Sequence, residues 1–306
     1  MGLKLFTTTV VLFAMWIAYS WIDLFDPVMV RGKRVLVTGA STGIGEQLAY
    51  QYAGMGAKVM VTARREDVLK KVVAKCKEIS GKPQQYYVTG DMSRLEDAEM
   101  IMQAVKEKLG GLDILVLNHV GPFDFGWFSG KENLTRFNYK TTVNYISYVH
   151  LAAYALPLLR ESPGSSIVVI SSVAGVIGMP PNAEYAASKF ALRGFFQSLA
   201  AQFEILEQDT SVTVCFLGPI DTASAVRVLQ TTSIVGKNFS SSNAISLADV
   251  SSTALAVVKA GALKQEEMFY PYYFKVVNFP GLQRIVKYFA NKSFKKGWRE
   301  TSEDTK

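Results

Sequence analysis

Tyr185 and Lys189 stand four residues apart in "NAEYAASKFAL" (182–192), a run that otherwise reads as an apolar helix. Positions i and i+4 share a helix face, so a phenol and an ammonium there can point the same way. A nearby ammonium favours the phenolate, and a phenol so tuned can transfer a proton near neutral pH. Just upstream, Ser172 ends the strand-like run "SSIVVISS" (165–172). Its hydroxyl can hydrogen-bond a carbonyl or an alkoxide. The spacing alone also fits two incidental polar residues on a core helix. The rest of the chain has to decide between the two.

A second group of residues points to a nucleotide. "TGASTGIG" (38–45) follows the apolar run "KRVLVT" (33–38) and opens a helical pattern. Gly39 permits a tight turn. Gly43 and Gly45 let backbone amides approach a pyrophosphate at the helix N-terminus, where the dipole favours an anion. The alternative is a glycine-rich turn without a ligand. At the end of the next strand an acidic residue would bind a ribose 2′-hydroxyl. Here the chain has Ala63-Arg64-Arg65, with no carboxylate before Glu66. Arginine forks onto phosphate, so NADP(H) is expected over NAD(H). Asp91 either bonds the adenine amino group or caps the following helix. Asn118 is placed to pin the sheet edge, and Gly121 suits close approach to the cofactor ribose. His119 reads as a lining residue, because no carboxylate partner lies in sequence reach.

These residues need a frame, and the pattern supplies one. Apolar strand-like runs at 33–38, 57–63, 84–90, 112–118, 165–172, 211–218 and 267–271 alternate with helical stretches, including a long one over 131–160. Continuous Val/Ile/Leu strands separated by helices indicate a parallel sheet covered on both faces. The expectation is α/β: a single, doubly wound, Rossmann-type domain over 30–272 with seven parallel strands and right-handed crossovers. Ligands of such sheets bind at the strand carboxyl ends, which is where Ser172, the Tyr185 helix and the glycine turn would converge.

Composition narrows the partners. The chain has 306 residues, 49% hydrophobic and 19% charged, which excludes disorder for its bulk. A net charge of +7 comes without any block of like charge, so nucleic acid is not expected. Cys76 and Cys215 read as buried thiols, and His119 and His150 lack metal-ligand spacing, so no metal is expected.

Residues 5–22 carry no charge, a length at the lower limit for spanning a bilayer. Trp16, Tyr19 and Trp21 resemble an interfacial belt, which favours a retained anchor over residues 1–22. The alternative is a signal peptide cut after Ser20. Either sends the chain into the secretory pathway. Arg31, Lys33 and Arg34 downstream would keep the main domain cytoplasmic on charge bias alone. Sequons at Asn133, Asn238 and Asn291 point to the lumen. The expectation is the endoplasmic reticulum membrane with a luminal catalytic domain, or secretion after cleavage. The tail, 273–306, mixes Tyr, Phe and Trp with Lys287, Lys292, Lys295, Lys296 and Arg299. It suits a membrane surface or a docking helix in a homodimer.

Taken together, "TGASTGIG", "NHVG" (118–121), Asn144, Ser172, "YAASK" (185–189) and "LGPIDT" (217–222) resemble the short-chain dehydrogenase/reductase family in order and spacing. The resemblance covers about residues 30–272. Within the family the chain is most similar to the hydroxysteroid 11-beta-dehydrogenase branch and its 1-like subgroup. "VTGASTGIGE", "VNYISYVHLAAYALPLL" and "YAASKFALRGFF" carry that match. The resemblance implies an NADP(H)-dependent oxidoreductase that interconverts a hydroxyl and a ketone on a small apolar substrate of steroid type. Asn144 would join Ser172, Tyr185 and Lys189 as the fourth catalytic residue, holding a water that links Lys189 to solvent. Ser172 and Tyr185 would also contact the substrate, and Lys189 the ribose hydroxyls. Ser41, Thr42, Ile44, Met92, His119, Val120, Gly218 and Pro219 would contact the cofactor, with Ile220 and Thr222 at the nicotinamide amide. Where the steroid branch tends to place an aromatic, this chain has Met179. Two other readings share the fold: a retinoid or xenobiotic carbonyl reductase, and a catalytically idle NADP(H)-binding protein.

Overall fold

The computed structural model describes residues 24–122, 126–178, 180–231, 247–288 and 291–292. The apolar segment 5–22, Met179, Asn238 and the end of the basic tail lie outside the described residues. Among those described, no helix is long and apolar enough to cross a membrane.

Seven strands form one parallel sheet in the order β3-β2-β1-β4-β5-β6-β7. They are β1 (Arg34–Thr38), β2 (Lys58–Ala63), β3 (Gln85–Thr89), β4 (Ile114–Leu117), β5 (Ser165–Ser172), β6 (Thr210–Leu217) and β7 (Glu267–Tyr270). The order reverses between β1 and β4, so the carboxyl ends of these two strands flank the crevice where such sheets bind ligands. Successive residues of each strand face opposite sides, and both sides are buried. Val35 and Val37 pack with α1 (Gly43–Gly54), α2 (Glu66–Ser80) and α7 (Val250–Ala262). Leu36, Leu115 and Phe216 pack with α3 (Asp97–Leu109), α5 (Ser147–Arg160) and α6 (Ala183–Ile205). Two cores on two faces explain why the strands read as continuous apolar runs.

Helix ends follow local chemistry. α2 opens on Glu66 and Asp67 and closes on Lys77. Gly81, at φ 62°, then takes the left-handed conformation that ends it. Both cysteines are free and buried in the same core.

The long helical run expected over 131–160 is interrupted. α4 (Leu134–Thr141) passes into a π-helical segment, Thr142–Ile146, before α5 begins. A wider turn lets one side chain be re-aimed without ending the helix, and such segments cluster at functional sites. Here the re-aimed residue is Asn144. Past β7, a 3₁₀ turn (Tyr272–Asn278) leads into a helix over 280–288, on which Leu282, Ile285 and Tyr288 are exposed.

Leu115 lies on a central strand with no exposed surface. Leu115→Ala should destabilise the domain by about 2–5 kcal/mol, read as a lower urea midpoint at an unchanged denaturant slope.

Candidate active site

The crevice is shaped by contacts that leave no room for side chains. Gly39 and Gly43 both have φ +64°. A Cβ on Gly39 would lie 2.6 Å from the His119 Cα, and one on Gly45 would lie 2.4 Å from the Gly39 carbonyl oxygen. Gly45 therefore allows α1 to pack closely onto the turn. Gly43 opens α1, and its neighbour across the crevice is Thr222, whose methyl would be 3.3 Å from an added Cβ. Ser41, Thr42 and Ile44 fall on the same turn.

At the end of β2, the Arg65 guanidinium donates to Ser41 Oγ at 3.0 Å. Arg64 is exposed beside it. The nearby Glu66 carboxylate is turned to Lys70 and Tyr87. Bonding from Lys70 and Tyr87 holds it below the usual carboxylate range. A cation and a hydroxyl thus meet where a ribose 2′-substituent would lie, with the carboxylate engaged elsewhere. Asp91 accepts from both the N–H and the hydroxyl of Ser93, which closes a local turn; the following helix starts only at Asp97, with Glu96 at its N-cap. Burial works against its charge, but those bonds, with Arg64 and Arg94 nearby, hold its pKa below the usual value. Met92 beside it is buried.

Asn118 does not sit at a sheet edge. Its amide donates to the carbonyls of Thr38 and Gly39 at 3.0 and 3.2 Å, tying β4 to β1 in the middle of the sheet. The His119 ring is sandwiched between Thr38 Oγ1 and Ser147 Oγ, at 2.9 and 2.7 Å. Both hydroxyls also donate to backbone carbonyls, Ser147 to Val143 and Thr38 to Val116. Burial first, and then the Lys189 charge, push the ring down to about 3. His119 is neutral, with a hydroxyl beside each ring nitrogen. Val120 is exposed at the rim.

Ser172, Tyr185 and Lys189 come together. Ser172 Oγ hydrogen-bonds the Tyr185 phenol and accepts from the Ala174 N–H. The Lys189 ammonium donates to the Ile170 carbonyl at 2.9 Å. It lies 5.6 Å from the Tyr148 ring centre and 5.7 Å from that of Tyr185. The expected lowering of the phenol is not what this arrangement produces. Burial raises Tyr185 to about 12, against the Ser172 bond, and lowers Lys189 to about 7. Both shifts have one cause: a low-dielectric site disfavours either charged form. Tyr185 is therefore held as a protonated phenol, ready to donate.

Asn144 Oδ1 accepts from the Gly121 N–H at 2.8 Å, and its Nδ2 donates to Ser188 Oγ at 3.3 Å. Both ends of the side chain are thus engaged with protein, bridging the loop after β4 to α6. In the 217–222 loop, Gly218 abuts the Phe274 ring, and Pro219 accepts from the Ala248 N–H. The Ile220 side chain is buried in the core, which leaves its backbone as the part that could meet a cofactor. Thr222 does face the glycine turn. Sequence reasoning missed Tyr148, Glu184 and Arg136. Only the nearness of Glu184 to Tyr185 in the chain was available to flag any of them.

A family model described as short chain dehydrogenase matches residues 33–233. A hydroxysteroid 11-beta-dehydrogenase 1-like protein of Danio rerio is 43% identical over 84% of this chain and 85% of its own. The 1-like protein B of Xenopus laevis is 48% identical over 80% of this chain and 79% of its own. Among solved structures, a short chain dehydrogenase of Escherichia coli CFT073 complexed with NADPH superposes with a TM-score of 0.69. It is 27% identical, over 80% of this chain and 98% of its own. One from Shigella flexneri 2a complexed with NADP gives 0.68 at 26% identity, with the same coverage.

Because the Lys189 pKa is lowered, the unfolded chain holds a proton that the native site has released between about pH 7 and the ordinary lysine value. Unfolding then takes up a proton, so stability rises with pH across that window, by up to about 1.4 kcal/mol per pH unit. Lys189→Met should flatten the rise, measured by urea unfolding at pH 7 and pH 9.

Proposed function

The chain belongs to the short chain dehydrogenase family, and on that premise we propose that it is an NADP(H)-dependent oxidoreductase. Its reaction would interconvert a hydroxyl and a ketone on an apolar ring substrate of steroid type. The observation that carries this reading is the Ser172–Tyr185 hydrogen bond set beside a buried Lys189 at the carboxyl end of β5.

The residues present fit the cofactor. The glycine turn presents a crevice with no Cβ at Gly39 and Gly43, at the N-terminus of α1, where a pyrophosphate is favoured. Arg65, Ser41 and Arg64 would take the 2′-phosphate. Lys189 would hold the ribose, and Thr222 would sit at the nicotinamide end. When bound, the nicotinamide supplies a hydride in reduction and accepts one in oxidation.

The side chains do the rest. Ser172 and Tyr185 donate hydrogen bonds to the substrate carbonyl and so polarise it. As negative charge builds on that oxygen, Tyr185 passes it the phenolic proton. Lys189, in its protonated form over the ring faces, would stabilise the phenolate left behind. Oxidation runs the same steps backwards and needs the phenolate first. The names of the relatives, together with exposed Val120, Trp127 and Phe128 near the site, support an apolar substrate of the steroid class. The localisation proposed with it is the endoplasmic reticulum membrane, anchored by residues 5–22 with the catalytic domain luminal. A homodimer is the proposed assembly.

Turnover of cortisol and cortisone, with both NADP(H) and NAD(H), tests the reading. Cofactor binding without turnover of any ketone or alcohol would favour the idle binder. Tyr185→Phe should lower kcat by about 10²–10⁴-fold while keeping NADP(H) affinity; a near-native rate would refute the proton-donor role. Arg65→Ala should weaken NADP(H) by about tenfold or more, the worth of a charge-assisted bond, and leave NAD(H) unchanged.

A further inference from the structure

Tyr185 lies in the first turn of α6, where the backbone N–H groups have no partner within the helix. Such a turn is ordinarily held by a capping side chain. The N-cap residue, Asn182, makes no such bond, and its buried Oδ1 has no partner among the described residues. The phenol therefore stands on a turn that has no side-chain cap.

Two residues of the neighbouring helical run, Asn144 and Arg136, hold it. Asn144, in the π segment, donates to Ser188 Oγ, which donates in turn to the Tyr185 carbonyl at 2.7 Å. Arg136, on α4, donates from Nε and Nη2 to a single oxygen of Glu184, the residue before Tyr185. That carboxylate is 1% exposed, and its second oxygen has no partner among the described residues. Tyr185 is thus gripped from both sides, at 184 and at 188.

The guanidinium also touches the loop ahead of α4. A Cβ on Gly126 would lie 2.7 Å from Arg136 Nη1. The Gly126 N–H donates to the Pro181 carbonyl at 2.9 Å, one residue before Asn182. Trp127 and Phe128 follow in that loop and are exposed. Loop, α4 and the start of α6 therefore meet at one guanidinium.

We propose that Arg136 and Glu184 are a positioning pair that holds the first turn of α6, and with it the Tyr185 phenol, in register with the aromatic loop at 126–128. Its consequence for catalysis rests on Tyr185 being the proton donor, as proposed above. Neither residue touches the reacting atoms. A buried carboxylate that loses its cation must find a new partner or take up a proton, and either frees the turn.

The test compares Arg136→Met, Arg136→Lys, Glu184→Gln and Gly126→Ala in the full chain. Gly126→Ala displaces the guanidinium without deleting a charge. One readout is amide hydrogen exchange over 183–188 against β5. The other is kcat and the KM for NADPH with a steroid ketone. Arg136→Met and Glu184→Gln should speed exchange over 183–188 by about tenfold and leave β5 protected. They should lower kcat by about tenfold at an unchanged KM for NADPH, the mark of a group acting in the transition state alone. Arg136→Lys should recover most of both, and Gly126→Ala should reproduce part of the loss. Unchanged exchange over 183–188 in Arg136→Met and Gly126→Ala overturns the pair. So does equal damage from Met and Lys at Arg136. Wild-type protein that binds NADPH and turns over nothing refutes the oxidoreductase reading instead, and the exchange comparison still decides the pair.

Discussion

Burying the ammonium of Lys189 is the constraint around which the catalytic end is organised. A lysine 2% exposed loses most of its hydration, and the cost appears as a pKa near 7. The compensation is local and specific. The Ile170 carbonyl accepts its hydrogen bond, and the ring faces of Tyr148 and Tyr185 surround it. For the ammonium to reach Ile170, α6 must lie directly on β5. Gly175 makes this possible, because a Cβ there would stand 2.7 Å from the Lys189 carbonyl oxygen. Ser171 Oγ then bonds that same carbonyl. One buried charge thus sets the distance between a strand and a helix, and that distance brings Ser172 to Tyr185.

The crevice beside it is built by a similar economy of space. Gly39, Gly45, Asn118 and His119 crowd the switch between β1 and β4. Each is fixed by backbone contact or by a fully used hydrogen-bonding group. Such a wall holds its shape before any ligand arrives, so little has to be reorganised on binding. The mobile chemistry is left to groups with spare capacity: the Ser172 hydroxyl, the Tyr185 phenol and the arginines at the end of β2. Polar residues near a nucleotide crevice are thereby divided between two tasks. Asn118 and Asn144 bond backbone and His119 bonds hydroxyls, while Ser172 and Tyr185 meet at the end of β5 and Arg64 and Arg65 are exposed.

Much of this was legible in the chain. Seven apolar runs became seven strands in parallel order, because strands covered on both faces are apolar along most of their length. The glycine turn and the Ser172, Tyr185 and Lys189 set fell where their positions between elements required. What could not be read were the partners. Ile220 looks in sequence like any residue of a loop over the crevice, yet its side chain is drawn into the core behind the loop. Asn144 sits within a helical pattern, and the π segment that turns it toward Gly121 and Ser188 leaves no mark in residue spacing.

The sequence by itself determined the periodicity of the elements, their parallel order and the types of group at the strand ends. These follow from burial and from backbone conformation near each residue. Only the tertiary structure decided the charge states and the pairings. A phenol expected to be lowered by its neighbouring ammonium is raised, because desolvation depends on everything packed around it and not on a spacing of four. Arg136 meets Glu184 across two helices for the same kind of reason. The packing of α4 on α6 brings them together, and no local rule of sequence specifies that contact.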